Sequence, residues 1–332
     1  MHTRPILTIA IPTYNRAACL AALLSNLKAQ LPGIPSTDVE ILISDNCSTD
    51  DTPKVAAAFR STHDTVKLLR NDENRGADYN IARCFIEASG LFVWILGDDD
   101  IVQPGALAGI LAVLRADKPN LTFLNAVGFD GEPSDLKLPP VTLPLATRKL
   151  NRTTFAKYAN INLTFISGMI IRKDSYAKAN DAIFAGLGTS LIQLEWNINA
   201  LLEGETFTVV TTPVVHARVN QSGGYRLFDV FVTNYLALVR SMCKNNNSIK
   251  NILISYALIG YLPRLIYEYR FASVGHFERQ SILSVLYQSA RSRPEFWLIL
   301  APIAVLPRPM AFLFNLAAKI VNRVRRGVNG LR

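Results

Sequence analysis

The 332-residue sequence predicts an α/β domain on a largely parallel sheet, followed by a helical region. Three observations carry that reading. Short, β-branched apolar runs alternate with stretches of helical period over roughly the first 120 residues. Each of these runs gives way abruptly to polar residues at its carboxyl end. From about residue 226 onward the strand-like runs stop, and long segments with few charges replace them. Strands that alternate with helices form mainly parallel sheets flanked by those helices.

Taken in order, Ile6 to Ile11 is the first strand, broken by Pro12-Thr13-Tyr14-Asn15-Arg16. From Ala17 to Leu27 the residues Leu20, Leu23, Leu24 and Leu27 recur at helical spacing. Val39 to Ile43 is the second strand and runs into Ser44-Asp45-Asn46-Cys47-Ser48-Thr49-Asp50. Thr52 followed by Pro53 has the form of an N-cap with proline at the first helical position. Val66 to Leu69 is the third strand; Asn71 to Gly76 is a polar loop before a helix reaching Ala88. Leu91 to Gly97 is the fourth, ending in Asp98-Asp99-Asp100, and Pro104-Gly105 opens a helix to about Ala116. Leu121 to Leu124 reads as a further strand. Gly131 to Pro144 holds four prolines and reads as an exposed loop.

Four polar segments thus fall just past the carboxyl ends of strands: Thr13 to Arg16, Asp45, Asn74 to Gly76 and Asp98 to Asp100. That edge of an open α/β sheet is where ligands bind. Clustered carboxylates repel unless a cation lies among them, and hard oxygen donors suit Mg²⁺ or Mn²⁺. The ligand reads as a nucleotide, although neither G-x-G-x-x-G after the first strand nor a P-loop is present. A metal held by aspartate can neutralise a diphosphate instead of a glycine-rich turn. Asp45 is a candidate acceptor for a base or ribose.

Pro12 to Arg16, Ser44 to Asp50, Asn74-Arg75-Gly76 and Gly97-Asp98-Asp99-Asp100 resemble, in order and spacing, the motifs of family 2 glycosyltransferases. The resemblance covers residues 4 to about 120. Trp94 to Asp100 is similar to a subgroup that includes abequosyltransferase-like enzymes of bacterial surface polysaccharide synthesis. It implies the GT-A fold, a nucleoside-diphosphate sugar donor, a divalent metal and inversion at the anomeric carbon. Carried over by residue, Pro12, Thr13, Tyr14 and Asp45 line the nucleoside pocket, with Arg16 near it. Asn74 and Gly76 close its side, and Gly76 lets the backbone approach. Asp98 contacts ribose or base, and Asp100 is the metal ligand. Asp99 either contacts the sugar or braces the loop.

Ser167 and Gly168, within apolar Ile166 to Ile171, form either the pocket floor or a core strand with a bulge. The family supplies its catalytic base from an acidic pair downstream of the metal motif, and this sequence has no such pair. Gly188 to Trp196 carries one carboxylate, Glu195, which at helical spacing shares a face with Leu191, Ile198 and Leu202. Partial desolvation there would tune it toward a base, so Glu195 is the catalytic candidate; the alternative is a boundary residue paired with a cation. His216, at the end of an apolar run, is either structural or a second metal ligand. The Gly223-Gly224 pair beside it suits a mobile loop over the diphosphate.

Net charge is +9 and uneven: Arg308 to Arg332 holds five arginines, one lysine and no acid. Phe296 to Leu306 and Met310 to Ala318 are apolar, split by Pro307-Arg308-Pro309, and each falls short of the roughly 20 residues of a membrane span. Two readings stay open for residues 226–332. One is a helical region that docks on the catalytic domain, 1–225, and peripherally on an anionic membrane. The other is a soluble helical cap that packs a homo-oligomer. Nucleic-acid binding is set aside because the ligand loops are acidic and no basic-aromatic module occurs. Four scattered cysteines and a strand close to the N-terminus fit a cytoplasmic protein without a signal peptide, working at the cytoplasmic face of the inner membrane.

The acceptor class implied is a glycan or a polyprenyl-linked sugar. A non-catalytic sugar-nucleotide-binding subunit of a membrane-bound assembly complex is the alternative reading. A nucleotidyltransferase would need a glycine-rich, arginine-bearing loop after the first strand, which is missing.

Overall fold

A computed structural model describes residues 4–63, 65–176, 183–219, 225–272, 277–278 and 280–328. By internal contacts the chain divides into two compact units, Met1–Asn151 with Leu163–Val219, and Arg152–Asn162 with Asn220–Arg332.

The first unit is built on one mixed sheet. Its strands are β1 (Leu7–Thr13), β2 (Val39–Asp45), β3 (Val66–Arg70), β4 (Phe92–Ile95), β5 (Ile101–Val102), β6 (Leu121–Phe129), β7 (Thr147–Leu150), β8 (Met169–Arg172) and β9 (Phe207–Arg218). The order is β3-β2-β1-β4-β8-β6-β9-β5, with β7 on β9. From β3 to β4 all pairings are parallel, whereas β8 runs antiparallel between β4 and β6. Helices α1 (Ala17–Lys28), α2 (Thr52–Arg60), α3 (Ala77–Glu87) and α4 (Ala106–Asp117) make the connections. The leucines of α1 are all buried, joining Ile9, Ile41, Trp94 and Ile110 in one core. Register sets the rim: Thr13 pairs with Asp45 and Asp45 with Arg70, so the polar ends of three strands lie side by side.

Two local expectations change. Thr52 does not cap α2; its hydroxyl accepts the backbone N–H of Arg16 (3.0 Å), and the Asp50 carboxylate takes the N–H groups of Thr52 (2.9 Å) and Ala17 (3.2 Å). One aspartate therefore serves the starts of two helices, a tertiary job that local spacing cannot reveal. The helix bearing Glu195, α6 (Leu194–Glu203), begins after Leu191, so Glu195 sits in its first turn and shares no helical stripe with Leu191.

The second unit is helical: α5 (Arg152–Ala159), α7 (Tyr235–Met242), α8 (Asn247–Tyr256), α9 (Leu262–Phe271), α10 (Ile282–Ala290), α11 (Ala301–Val305) and α12 (Arg308–Val328). Wider π-type turns at Ala257–Tyr261 and Phe296–Leu300 each run up to a proline, Pro263 and Pro302. Proline has no N–H for the regular bond to the residue four back, and the helix widens there. The expected split at Pro307-Arg308-Pro309 is present: α11 ends at Val305 and α12 starts at Arg308, with Pro309 in its first turn, where a missing N–H costs nothing. Asn247–Phe271 has the length and composition of a membrane span, but half of its most apolar window is buried.

Candidate active site

The site lies at the carboxyl rim of β1, β2 and β4. Asp98 and Asp100 are buried, an unusual state for carboxylates, and their partners come from three other segments. The Thr13 hydroxyl donates to Asp98 Oδ2 at 2.7 Å. Arg16 Nη1 bridges Asp98 Oδ1 (3.2 Å) and Asp99 Oδ2 (2.5 Å). Gly97 donates its N–H to Ser167 Oγ (2.9 Å), and Trp94 Nε1 donates to the Ser167 carbonyl (2.8 Å). A Cβ at Gly97 would lie 3.2 Å from Asp100 Oδ2 and 3.3 Å from Ser167 Oγ, so glycine lets the acid turn fold tightly onto Ser167. The Arg218 backbone N–H donates to Asp100 Oδ1 at 3.0 Å.

Burial pushes Asp100 up to about 7, against the pull of Ser167's hydroxyl and with the added repulsion of Asp99. Asp98 is raised to about 6, again by burial, with the Arg16 charge opposing. A cation beside Asp100 would relieve that penalty. Mg²⁺ is commonly held by one or two carboxylates plus substrate phosphates, so this donor set fits such an ion without a full protein cage. Among the described residues no group of three or more His, Cys, Asp or Glu side chains is arranged to hold a metal unaided.

His216 pairs in register with Ile101, next to the acid turn. The Gln103 amide nitrogen donates to the Pro139 carbonyl, which turns its oxygen toward His216 Nε2. That nitrogen therefore carries the proton, and Nδ1 alone keeps a lone pair. Burial lowers the His216 pKa and keeps the ring neutral.

The rim after β2 and the turn before α3 are braced by asparagines. Asn46 Nδ2 donates to Asn74 Oδ1 (2.7 Å) and the Gly76 carbonyl (3.2 Å), while its Oδ1 accepts the Arg75 N–H (3.1 Å). Asn80, buried on α3, donates to the Ser44 carbonyl (2.8 Å) and accepts from Ser44 Oγ (2.7 Å). Gly76 has φ +81°, a left-handed conformation that leads into α3. Asp45 is buried; its Oδ1 accepts the Ser48 N–H (3.0 Å), and Arg70 Nε lies 3.3 Å from Oδ2. Pro12, next to the last residue of β1, is in register with Ser44, and Tyr14, just past the strand, is exposed.

A Cβ at Gly186 would sit 3.1 Å from Glu195 Cγ and 3.3 Å from its Oε1. Burial, with the nearby Glu195 charge adding, raises the Tyr176 hydroxyl to about 12. Neighbouring Asp78, at the start of α3, accepts the Ser190 N–H at 2.9 Å. Burial raises its pKa, and N–H groups from Gly188 to Ile192 oppose that shift. The Gly223-Gly224 loop lies outside the described residues.

Sequence reasoning left Asn46, Asn80, Asp78, Gln103 and Arg218 without roles. Asn80 had one readable signal, a polar residue inside an otherwise well-patterned helix.

A family model described as "Glycosyl transferase family 2" matches residues 8–178. The chain belongs to that family. This family 2 member is 36% identical over 104 residues to abequosyltransferase RfbV of Salmonella typhimurium, an alignment covering 31% of each sequence. It is 32% identical over 108 residues to the GalNAc(5)-diNAcBac-PP-undecaprenol beta-1,3-glucosyltransferase of Campylobacter jejuni, spanning 32% of this chain and 34% of that protein. The chain thus spans about a third of the length of these curated relatives. In structure it is similar to S. aureus TarS 1-349 in complex with UDP-GlcNAc, with TM-score 0.60 at 16% identity, covering 96% of this chain and 89% of that one. That likeness shows the GT-A fold.

Proposed function

We propose that this family 2 member transfers a hexosyl or deoxyhexosyl group from a nucleoside-diphosphate sugar to a glycan or polyprenyl-linked acceptor, inverting the anomeric carbon, in surface polysaccharide synthesis of the O-antigen or capsule type. One observation carries the reading: β1, β2 and β4 end at one rim, and Thr13, Arg16 and Ser167 converge there on the buried acid turn. The relatives named for sugar transfer, one of them to an undecaprenol-linked glycan, support the donor and acceptor classes. An acceptor of that kind would put the protein at the cytoplasmic face of the inner membrane.

In this mechanism Asp45, Tyr14, Pro12 and the Asn46-braced Asn74 to Gly76 turn bind the nucleoside. Thr13 and Arg16 orient Asp98 toward the ribose, and Arg16 fixes Asp99 at the edge of the sugar site. Asp100, with His216 Nδ1 as the second candidate, would hold Mg²⁺ or Mn²⁺, and the ion when bound supplies neutralisation of the diphosphate leaving group. Inversion by single displacement needs a carboxylate to take the acceptor hydroxyl proton as the bond to C1 forms, the role given to Glu195. The rival reading, a non-catalytic sugar-nucleotide-binding subunit, draws on the missing acidic pair downstream of the acid turn.

Turnover separates the two. A panel of nucleotide sugars is first ranked by thermal shift, since a ligand of the native state raises its apparent stability. The best donor is then incubated with Mn²⁺. Donor hydrolysis or transfer that vanishes in Asp100→Ala supports the enzyme; donor binding with no turnover toward any acceptor supports the binding subunit.

A further inference from the structure

Helix α12 is apolar on the side it does not need for packing. Its inner side, Ala311, Asn315 and Ala318, is buried, and Asn322 and Arg326 farther along line a polar cavity of about 500 Å³ shared with Tyr256 and Arg264. At 100° per residue, Leu313, Leu316, Ile320 and Val324 fall on the opposite side. They are in solvent, with Leu313 62%, Ile320 55% and Val324 56% exposed. Met310, Phe312 and Val321 widen the stripe, and on the preceding helical segment Trp297 (57%) and Leu298 are exposed as well. Scattered single exposed leucines are normal in a folded protein; a continuous stripe from Met310 to Val324 marks a binding surface.

Charge decides what the stripe meets. Helix α12 carries Arg308, Lys319, Arg323, Arg325 and Arg326 and no acid. By the same geometry Lys319 and Arg323 flank the stripe on one side, both exposed. A helix with an apolar face edged by cations lies in the plane of an anionic bilayer, its apolar side chains entering the acyl boundary and its cations meeting the headgroups. A second copy of the chain would bring the same cations against themselves, an arrangement that repulsion disfavours.

We infer that α12 is an interfacial helix that docks this unit on an anionic leaflet through Leu313, Leu316, Ile320 and Val324, with Trp297 as a neighbouring anchor. This deepens the transferase reading and rests on it only for why a lipid surface is visited.

The full chain carries its own probe. Of three tryptophans, Trp94 and Trp196 are buried and Trp297 is exposed, so quenching by lipids brominated on the acyl chain reports Trp297 alone. Wild type is expected to sediment with phosphatidylcholine vesicles containing phosphatidylglycerol, with Trp297 quenched, and to bind pure phosphatidylcholine far less. Leu313→Glu/Ile320→Glu/Val324→Glu should lose vesicle binding at least about tenfold while keeping its melting transition and its thermal shift with donor and Mn²⁺. Lys319→Glu/Arg323→Glu leaves the apolar stripe intact and should weaken binding roughly fivefold per charge removed, an effect that high salt erases. The inference is overturned by equal sedimentation of wild type and the triple variant, or by no binding to phosphatidylglycerol vesicles. It is equally overturned by lipid-free self-association of wild type that the triple variant abolishes, which would make a second copy the occupant. Loss of the donor-induced shift in wild type would count against the transferase reading and leave this one standing.

Discussion

At the rim of the sheet, Asp98 and Asp100 are carboxylates buried behind Thr13, Arg16 and Ser167. On α12, by contrast, Leu313, Ile320 and Val324 are large apolar side chains left in water. Each arrangement is costly by itself, the first because burial disfavours charge and the second because apolar surface stays hydrated. Under the two proposals, each would be relieved by a partner of matching chemistry, a cation with a diphosphate in one case and an anionic bilayer in the other. The difference lies in how the cost is carried. The acid turn is partly compensated inside the protein by Arg16, the Thr13 hydroxyl and the Arg218 N–H, so it is preorganised; the helix stripe has no such compensation.

The comparison breaks most readily at the acid turn. Asp100→Asn keeps the shape but removes the charge, and transfer should fall by about a thousandfold or more, the several kcal/mol that a Lewis-acid ion contributes. Steady-state rates over a Mn²⁺ titration read this directly; wild-type turnover in the variant would remove Asp100 from the site. Glu195→Gln should reduce transfer by about 10²–10⁴-fold with donor affinity unchanged, the range of a lost general base. A fall in donor binding instead, measured by calorimetry, would reassign Glu195 to a structural role.

Stability effects come next. Asp78→Ala strips an acceptor from the Ser190 N–H and should lower unfolding stability by about 1–3 kcal/mol in urea titrations, without abolishing Mn²⁺-dependent donor binding. A further prediction concerns pH. Asp100 titrates near 7 in the metal-free folded protein and has an ordinary value of 3.8. Between those values the folded state holds the extra proton, so its stability falls as pH rises from about 4 to about 7 and the loss is complete above that. The thermal midpoint without metal should therefore decline across this window more in wild type than in Asp100→Asn, and saturating Mn²⁺ should flatten the decline. An equal slope in both proteins would show that Asp100 is not the titrating group.

Much of the rim could be read without coordinates, because strand and helix periods are local. The polar segments after β1, β2 and β4 and the loop before α3 were each visible, and so was the run of three aspartates. Which oxygen meets which donor was not visible. Arg16 and Asp99 are 83 positions apart, and Arg218 and Asp100 are 118 apart. The reading that left Asp99 open between sugar contact and loop brace could not see the Arg16 bond, which now supplies a brace.

What the sequence determined by itself was the alternation that makes a GT-A sheet, the motifs of family 2 along its rim, and the apolar and basic character of the last helix. Those properties follow from spacing along the chain and need no partner. The tertiary structure alone decided that Ser167 backs Gly97, that Asn46 braces the turn before α3 and Asn80 the end of β2, that His216 spends one nitrogen on Gln103, and that α12 turns its apolar stripe outward. Such outcomes depend on strand order, register and helix rotation, which bring distant residues within hydrogen-bonding reach or leave a face uncovered.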